Sequence, residues 1–311
     1  MLLDAPSGLN LNVLTQGWTI PGSFPSGTTK NVTFSISFDV AENPAQDPFG
    51  FSLVTAISEE PSDPFDIDLD FSADTLLTTS QKAIFEQAAS RWEQVITHGL
   101  SNINDGGTIY DDLVIKASAV AIDGVGGILG QAGPEFIRNS NSLPLSGIMQ
   151  FDSADLSNME TSGILYNVIL HEMGHVLGIG TLWDYLGFLT YNAADCQTST
   201  SIVFNKANAI AQYNALGGAG SVPVEDTGGA GTKCGHWRES IFDTELMTGW
   251  AEAGSMPMSR MTIASLKDLG YSVNLAAADT YTLPGVGGIR QQSHDIELIE
   301  IPTRPRVIPD N

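Results

Sequence analysis

From Ile164 to Gly178 the chain reads ILYNVILHEMGHVLG, an apolar run at helical spacing that carries two histidines and a glutamate. A helix this apolar must be buried, and burying unpaired imidazoles and a carboxylate is costly. On a helix His171 and His175 stand one turn apart and project from the same face. Glu172 lies about 100° around the axis from His171. Two imidazoles so spaced hold one zinc ion without bending the backbone, and a glutamate beside them reaches a water more easily than the ion. The alternative is a pair of satisfied core histidines, which leaves three polar groups to be accommodated in apolar surroundings. Gly178, three residues after His175, lets the helix stop and the chain turn sharply.

A catalytic zinc ordinarily has three protein ligands and a water. The commonest extension of this signature puts the third ligand three residues after the glycine, where this chain has Thr181, not a zinc ligand of any strength. Five histidines occur in all, so three remain. His98 precedes Gly99 at the expected end of a long helix, where the helix dipole explains it without a metal. His294 lies in the acidic segment SHDIELIE and reads as a surface residue. His236 lies in CGHWRES, close to Cys234. Cys196 and Cys234 are the two cysteines and can close one loop, which suits an oxidising compartment; two unrelated buried thiols are the alternative. A loop pinned in this way is a platform for a ligand that returns from far along the chain. Glu239 and Glu225 are rival third ligands, and Glu239 is also a candidate partner for a metal-bound histidine.

After His236 come FDTELMTGW and PMSRMTIASLKDLGYSV. The order His-Glu-x-x-His-x-x-Gly, a long insertion, a histidine and then a methionine turn within Glu-Leu-Met resembles the leishmanolysin family of metzincin peptidases, over about 65–273. The resemblance implies His171, His175 and His236 as zinc ligands, Glu172 as general base, and Met247 as the methionine beneath the metal. It implies one zinc ion and endopeptidase action on protein or peptide substrates. The implied fold is α+β and two-lobed: a twisted mixed sheet with a backing helix and the zinc helix above, and an irregular lobe below. The chain is shorter and poorer in cysteine than eukaryotic members and looks like a bacterial relative. A binding or adhesion module with a silent site is the reading from another class, opposed by the intact set of chemical groups.

The net charge of −23 over 311 residues excludes binding to nucleic acid phosphates and disfavours anionic membrane surfaces. Its plain meaning is solubility. Calcium is the other reading, with candidate acids in DPFDIDLD (63–70), at Asp111 and Asp112, and at Asp152 and Asp155, although none has EF-hand spacing. No apolar run is long enough to span a membrane. The opening MLLDAPSGLN is too short in apolar length for a secretory signal. With the cysteine pair, export is expected, either as a mature or trimmed chain or by a route that leaves no N-terminal trace, and a monomer is the expected state.

Alternation predicts strands over 32–40, 49–57, 65–71 and 113–121, and a short one over Gly147, Ile148, Met149 and the next two residues. That last strand is expected at a sheet edge, where an extended substrate pairs through its backbone. Trp183 is a candidate cleft wall, and Trp237 a shield for His236. Helices are expected over 78–99, with Thr78 and Gln81 as a capping box, over 202–216 and over 259–270. DGVGGILGQAG (123–133) reads as a loop. The expected divisions are an extension over 1–60, an upper catalytic part over 61–179, a lower one over 180–280 and a tail over 281–311.

Overall fold

The computed structural model describes residues 63–284 except 253, residues 305–309, and the backbone of three two-residue strands elsewhere. The chain forms two compact units, Met1–Ser62 and Asp63–Asn311. In the first, β1 (Leu2–Leu3) pairs antiparallel with β2 (Leu53–Val54). The strand expected over 32–40 lies outside the described residues, as does most of that over 49–57.

The second unit begins with β3 (Ile67–Asp70), α1 (Thr79–Val95) and the hairpin of β4 (Ile103–Asp105) with β5 (Thr108–Tyr110). Then come β6 (Leu113–Val120), β7 (Gly130–Arg138), β8 (Pro144–Asp152), α2 (Leu156–Ser162) and the motif helix α3 (Leu165–Val176). Beyond α3 lie β9 (Leu189–Tyr191), β10 (Ile202–Phe204), α4 (Ala207–Ala215), β11 (Val222–Pro223), α5 (Glu239–Phe242), β12 (Trp250–Ala251) and α6 (Arg260–Leu269). β13 (Ile296–Glu297) pairs with β12, and β14 (Arg306–Ile308) joins the main sheet.

That main sheet is mixed, in the order β14-β7-β8-β6-β3. β3, β6 and β8 run parallel, β7 is antiparallel to β8, and β14 is parallel to β7. α1 and α3 pack together, and α3 packs on β7 and β8. The period of α1 explains its place: Phe85, Ala88, Ala89, Trp92 and Val95 share its buried face. Its start is a capping box, with Thr78 Oγ1 accepting from the Gln81 amide and Gln81 Oε1 from the Thr78 amide. The helix stops at Val95, earlier than the expected 99, because Ile96 is extended and bridges Val273 while the Asn274 amide donates to Val95 O. His98 is therefore not at the helix end; it is exposed and bonds Thr97 Oγ1.

Three expectations are corrected. The glycine-rich loop ends at Leu129, and β7 begins at Gly130, where a Cβ would come 3.1 Å from the Phe151 ring. Close packing on that ring explains a glycine inside a strand. Pro134 follows, and the ladder shifts register between Pro134 and Phe136. β8, which carries Gly147, Ile148 and Met149, is not an edge strand. It is bonded to β6 on one side and β7 on the other, so its backbone has no side left for a substrate. Among the described residues, the outer side of β7 is taken by β14 only at Phe136, Ile137 and Arg138. The segment expected as a helix over 202–216 begins instead as β10, the middle strand of a sheet ordered β11-β10-β9. α4 starts only at Ala207, where the Asp268 carboxylate takes the amides of Asn208 and Ala209.

Asp112 ties the start of β3 to the loop after α1 by accepting from the amides of Asp66 and Leu100. Burial pushes its carboxyl up to about 6, against those two donors. The folded state then keeps a proton that the unfolded chain releases above its ordinary value near 3.8. The contribution of this group to stability should therefore fall as pH rises from about 4 to about 6 and be flat above. Carboxyl chemical shifts of Asp112 should show the titration near pH 6; a midpoint near 4 would contradict it.

Candidate metal centre

α3 is buried nearly throughout, and His171, Glu172 and His175 are fully enclosed. His236 arrives from the opposite part of the unit, also fully enclosed. The three Nε2 atoms form a triangle: 2.9 Å between His175 and His171, 3.0 Å between His175 and His236, and 3.1 Å between His171 and His236. Each opposite ring nitrogen meets a backbone carbonyl. Nδ1 of His171 donates to Leu246 O at 2.7 Å, that of His175 to Ile179 O at 2.8 Å, and that of His236 to Thr232 O at 2.8 Å. A carbonyl only accepts, so the Nδ1 proton is fixed in all three rings and the Nε2 lone pairs converge.

Protonation does not relieve that convergence. Burial, followed by the neighbouring His236, holds the His171 imidazole down at about 3. Burial and then the other two histidines hold His175 well below the usual imidazole range. Three neutral, preorganised nitrogen donors at this separation can hold a metal ion, and His171, His175 and His236 form such a group.

The chain reaches this geometry through close approaches. Gly178 adopts φ 102° and ends the helix. Gly180, at φ 77°, lies against the Gly235 carbonyl so closely that a Cβ would clash with it, which brings His236 under the helix end. Thr181 caps the helix end, its hydroxyl donating to His175 O at 2.7 Å. Gly174, between the two helix histidines, leaves room for Met247, whose Sδ would stand 2.8 Å from an added Cβ, with the Trp92 ring at 3.2 Å on the same side. Cys196 and Cys234 are disulfide-bonded, closing a loop with a sequence separation of 38 residues just before His236.

The rival glutamates stand elsewhere. The Glu225 carboxylate accepts from the amides of Asp226, Thr227 and Glu239 and from the Thr227 hydroxyl. Glu239 groups instead with Asp243 and Glu252, a second acidic cluster at half-buried positions that sequence spacing does not suggest. Among the described residues, the acids proposed for calcium do not form such a group. Trp183, the candidate cleft wall, is fully enclosed, 4.3 Å from the Trp237 ring and 5.1 Å from Phe204. His294 lies outside the described residues.

The sequence model of the leishmanolysin peptidases matches residues 92–285, which include α3, His236 and Met247. The chain belongs to the leishmanolysin family. A leishmanolysin homolog of Crithidia fasciculata is 27% identical over 153 residues, covering 45% of this chain and 22% of the relative. The mixed sheet and six described helices accord with membership in that family.

Gly174→Ala gains about 1 kcal/mol of helix propensity but forces Met247 or Trp92 aside, an overpacking cost of about 1–3 kcal/mol. The expected result is a lower melting temperature than wild type; a raised one would show that Met247 is not wedged there. Replacing both Cys196 and Cys234 by alanine should lower unfolding free energy by about 3–4 kcal/mol for a loop of this length, checked by urea denaturation.

Proposed function

We propose that this chain is a zinc-dependent endopeptidase that hydrolyses peptide bonds in proteins. The observation that carries the reading is the triangle of three Nε2 lone pairs with edges near 3 Å. Such edges put each nitrogen ~1.7 Å from the centre of the triangle, inside a zinc–imidazole bond of about 2.0–2.1 Å, so all three can reach one ion. In this reading His171, His175 and His236 hold zinc. When bound, the ion supplies Lewis acidity toward water and toward the substrate carbonyl.

The protein supplies the rest. Glu172, one position along the helix from His171, accepts the proton of the attacking water and returns it to the leaving amine. Leu246, Ile179 and Thr232 carbonyls keep each imidazole in one tautomer and one orientation. Met247 fills the space under the helix histidines. We place an extended substrate along the outer side of β7 over 130–135, beside the helix that carries the histidines, where pairing through backbone groups would be largely blind to substrate sequence.

The same reading divides the catalytic unit into an upper part over 61–179 and a lower part over 180–280 with the cleft between them, preceded by an extension over 1–60 and followed by a tail over 281–311. The disulfide supports export, and among the described residues no helix is long and apolar enough to cross a membrane. A monomer is the simplest state.

Glu172→Gln tests the assignment. Zinc content, measured by atomic emission, should stay at about one per chain, while kcat on a quenched fluorescent peptide should fall by at least about 10²-fold. Unchanged turnover would remove Glu172 from the mechanism. Zinc retained in full by His236→Ala would remove the third ligand.

A further inference from the structure

Beneath the metal-binding triangle lies a carboxylate that the proposed chemistry does not use. Glu245 is fully enclosed. Its Oε2 accepts from the Met247 amide at 2.7 Å, and its Oε1 accepts from the Ser259 amide at 3.0 Å and the Thr262 hydroxyl at 2.5 Å. The Thr262 oxygen in turn accepts from the Trp237 indole at 2.9 Å. A hydroxyl has one proton, and here it goes to the carboxylate, so the chain has a single direction: Trp237 to Thr262 to Glu245.

Both ends of this chain adjoin a histidine. Trp237 directly follows His236, and its amide donates to Met247 O at 2.9 Å. Leu246 directly follows Glu245, and its carbonyl is the acceptor for His171 Nδ1. Thr262 and the Ser259 cap belong to α6, so the same carboxylate fastens the methionine turn to that helix. Two of the three imidazoles are thus referred to one buried anion through covalent neighbours and three hydrogen bonds.

We propose that Glu245, acting through Thr262, is a positioning residue that sets the orientation of His171 and His236. The inference rests on the metal-centre reading above. Removing the link would let the Trp237 segment and the Leu246 carbonyl drift, and the two Nε2 atoms would no longer meet at a distance one ion can bridge. The loss should appear in metal affinity and ligand field, not only in turnover.

The test compares wild type with Glu245→Gln, Thr262→Val and Thr262→Ser. Zinc affinity is measured by competition with a chromophoric chelator, and the cobalt(II)-loaded proteins are compared by visible absorption. Near-UV circular dichroism reports the fold of each metal-free chain. Thr262→Val keeps the shape of threonine but leaves the Trp237 indole without its acceptor; Thr262→Ser keeps the hydroxyl. The expected result is zinc binding about 10–100-fold weaker and a shifted cobalt band in Glu245→Gln and Thr262→Val, with Thr262→Ser close to wild type. A folded Thr262→Val with wild-type affinity and spectrum would overturn the proposal, as would Thr262→Ser failing as badly as Thr262→Val. Should Glu245→Gln not fold, the Thr262 pair decides. A wild-type chain that takes up neither metal removes the metal centre itself, and the inference with it.

Discussion

Three imidazole lone pairs point at one another from fully enclosed rings, and much of the surrounding unit is arranged to keep them there. Left alone, the three nitrogens repel, and burial removes the ordinary relief of taking up a proton. The arrangement persists because each ring is gripped at its far nitrogen by a carbonyl from a different stretch of chain: the helix end at Ile179, the disulfide loop at Thr232 and the methionine turn at Leu246. A divalent cation held by the three nitrogens would turn the repulsion into three bonds, and metal binding would then be coupled to folding of the part beyond α3.

That constraint explains residues that otherwise look arbitrary. Trp92 donates its indole proton to Leu170 O at 3.0 Å and sits with Met247 over the bare Gly174. Tyr271 donates to Leu177 O at 3.1 Å, so the C-terminal turn of α3 is held from the chain that follows α6. Thr181 holds the His175 carbonyl from the other side. Helix α3 is thus held from Leu170 to its C-terminal end, the stretch that carries His171 and His175.

The parts of this that are legible in the sequence are local. One-turn spacing of His171 and His175, the capping box at Thr78 and the Ser259 cap are short-range patterns with short-range causes. His236 as partner comes only with the resemblance to a family, since three histidines and two glutamates compete for the place on composition alone. What periodicity misses depends on distant packing. β7 carries Gly130, Gly133 and Pro134, which argue for a loop; its strand identity comes from the antiparallel partner β8 and the Phe151 ring. β8 reads as an edge strand because nothing in its own residues announces a neighbour on each side. β10 and α4 read as one helix because their boundary is set by Asp268, some sixty residues away, capping the Asn208 and Ala209 amides.

The acidity of the chain has a similar explanation. Read as composition, a charge of −23 means solubility or calcium. In the folded unit a large part of the buried acid serves loops that have no ladder of their own. The Asp152 carboxylate collects the amides of Ile122, Asp123, Gly124 and Ala154; burial opposes its charge, and those donors outweigh burial and hold its carboxyl below the usual value. Asp74 does the same for Leu76, Leu77 and Ala119 and pairs with Lys82. Glu225 and Glu245 repeat the device around His236 and Met247. A buried backbone amide left without an acceptor is costly. A fold with long irregular connections therefore needs internal acceptors, and a carboxylate offers up to four lone-pair sites on one side chain. Part of the chain's acidity and its irregular connections are therefore linked: acidic side chains accept from amides that no strand ladder satisfies.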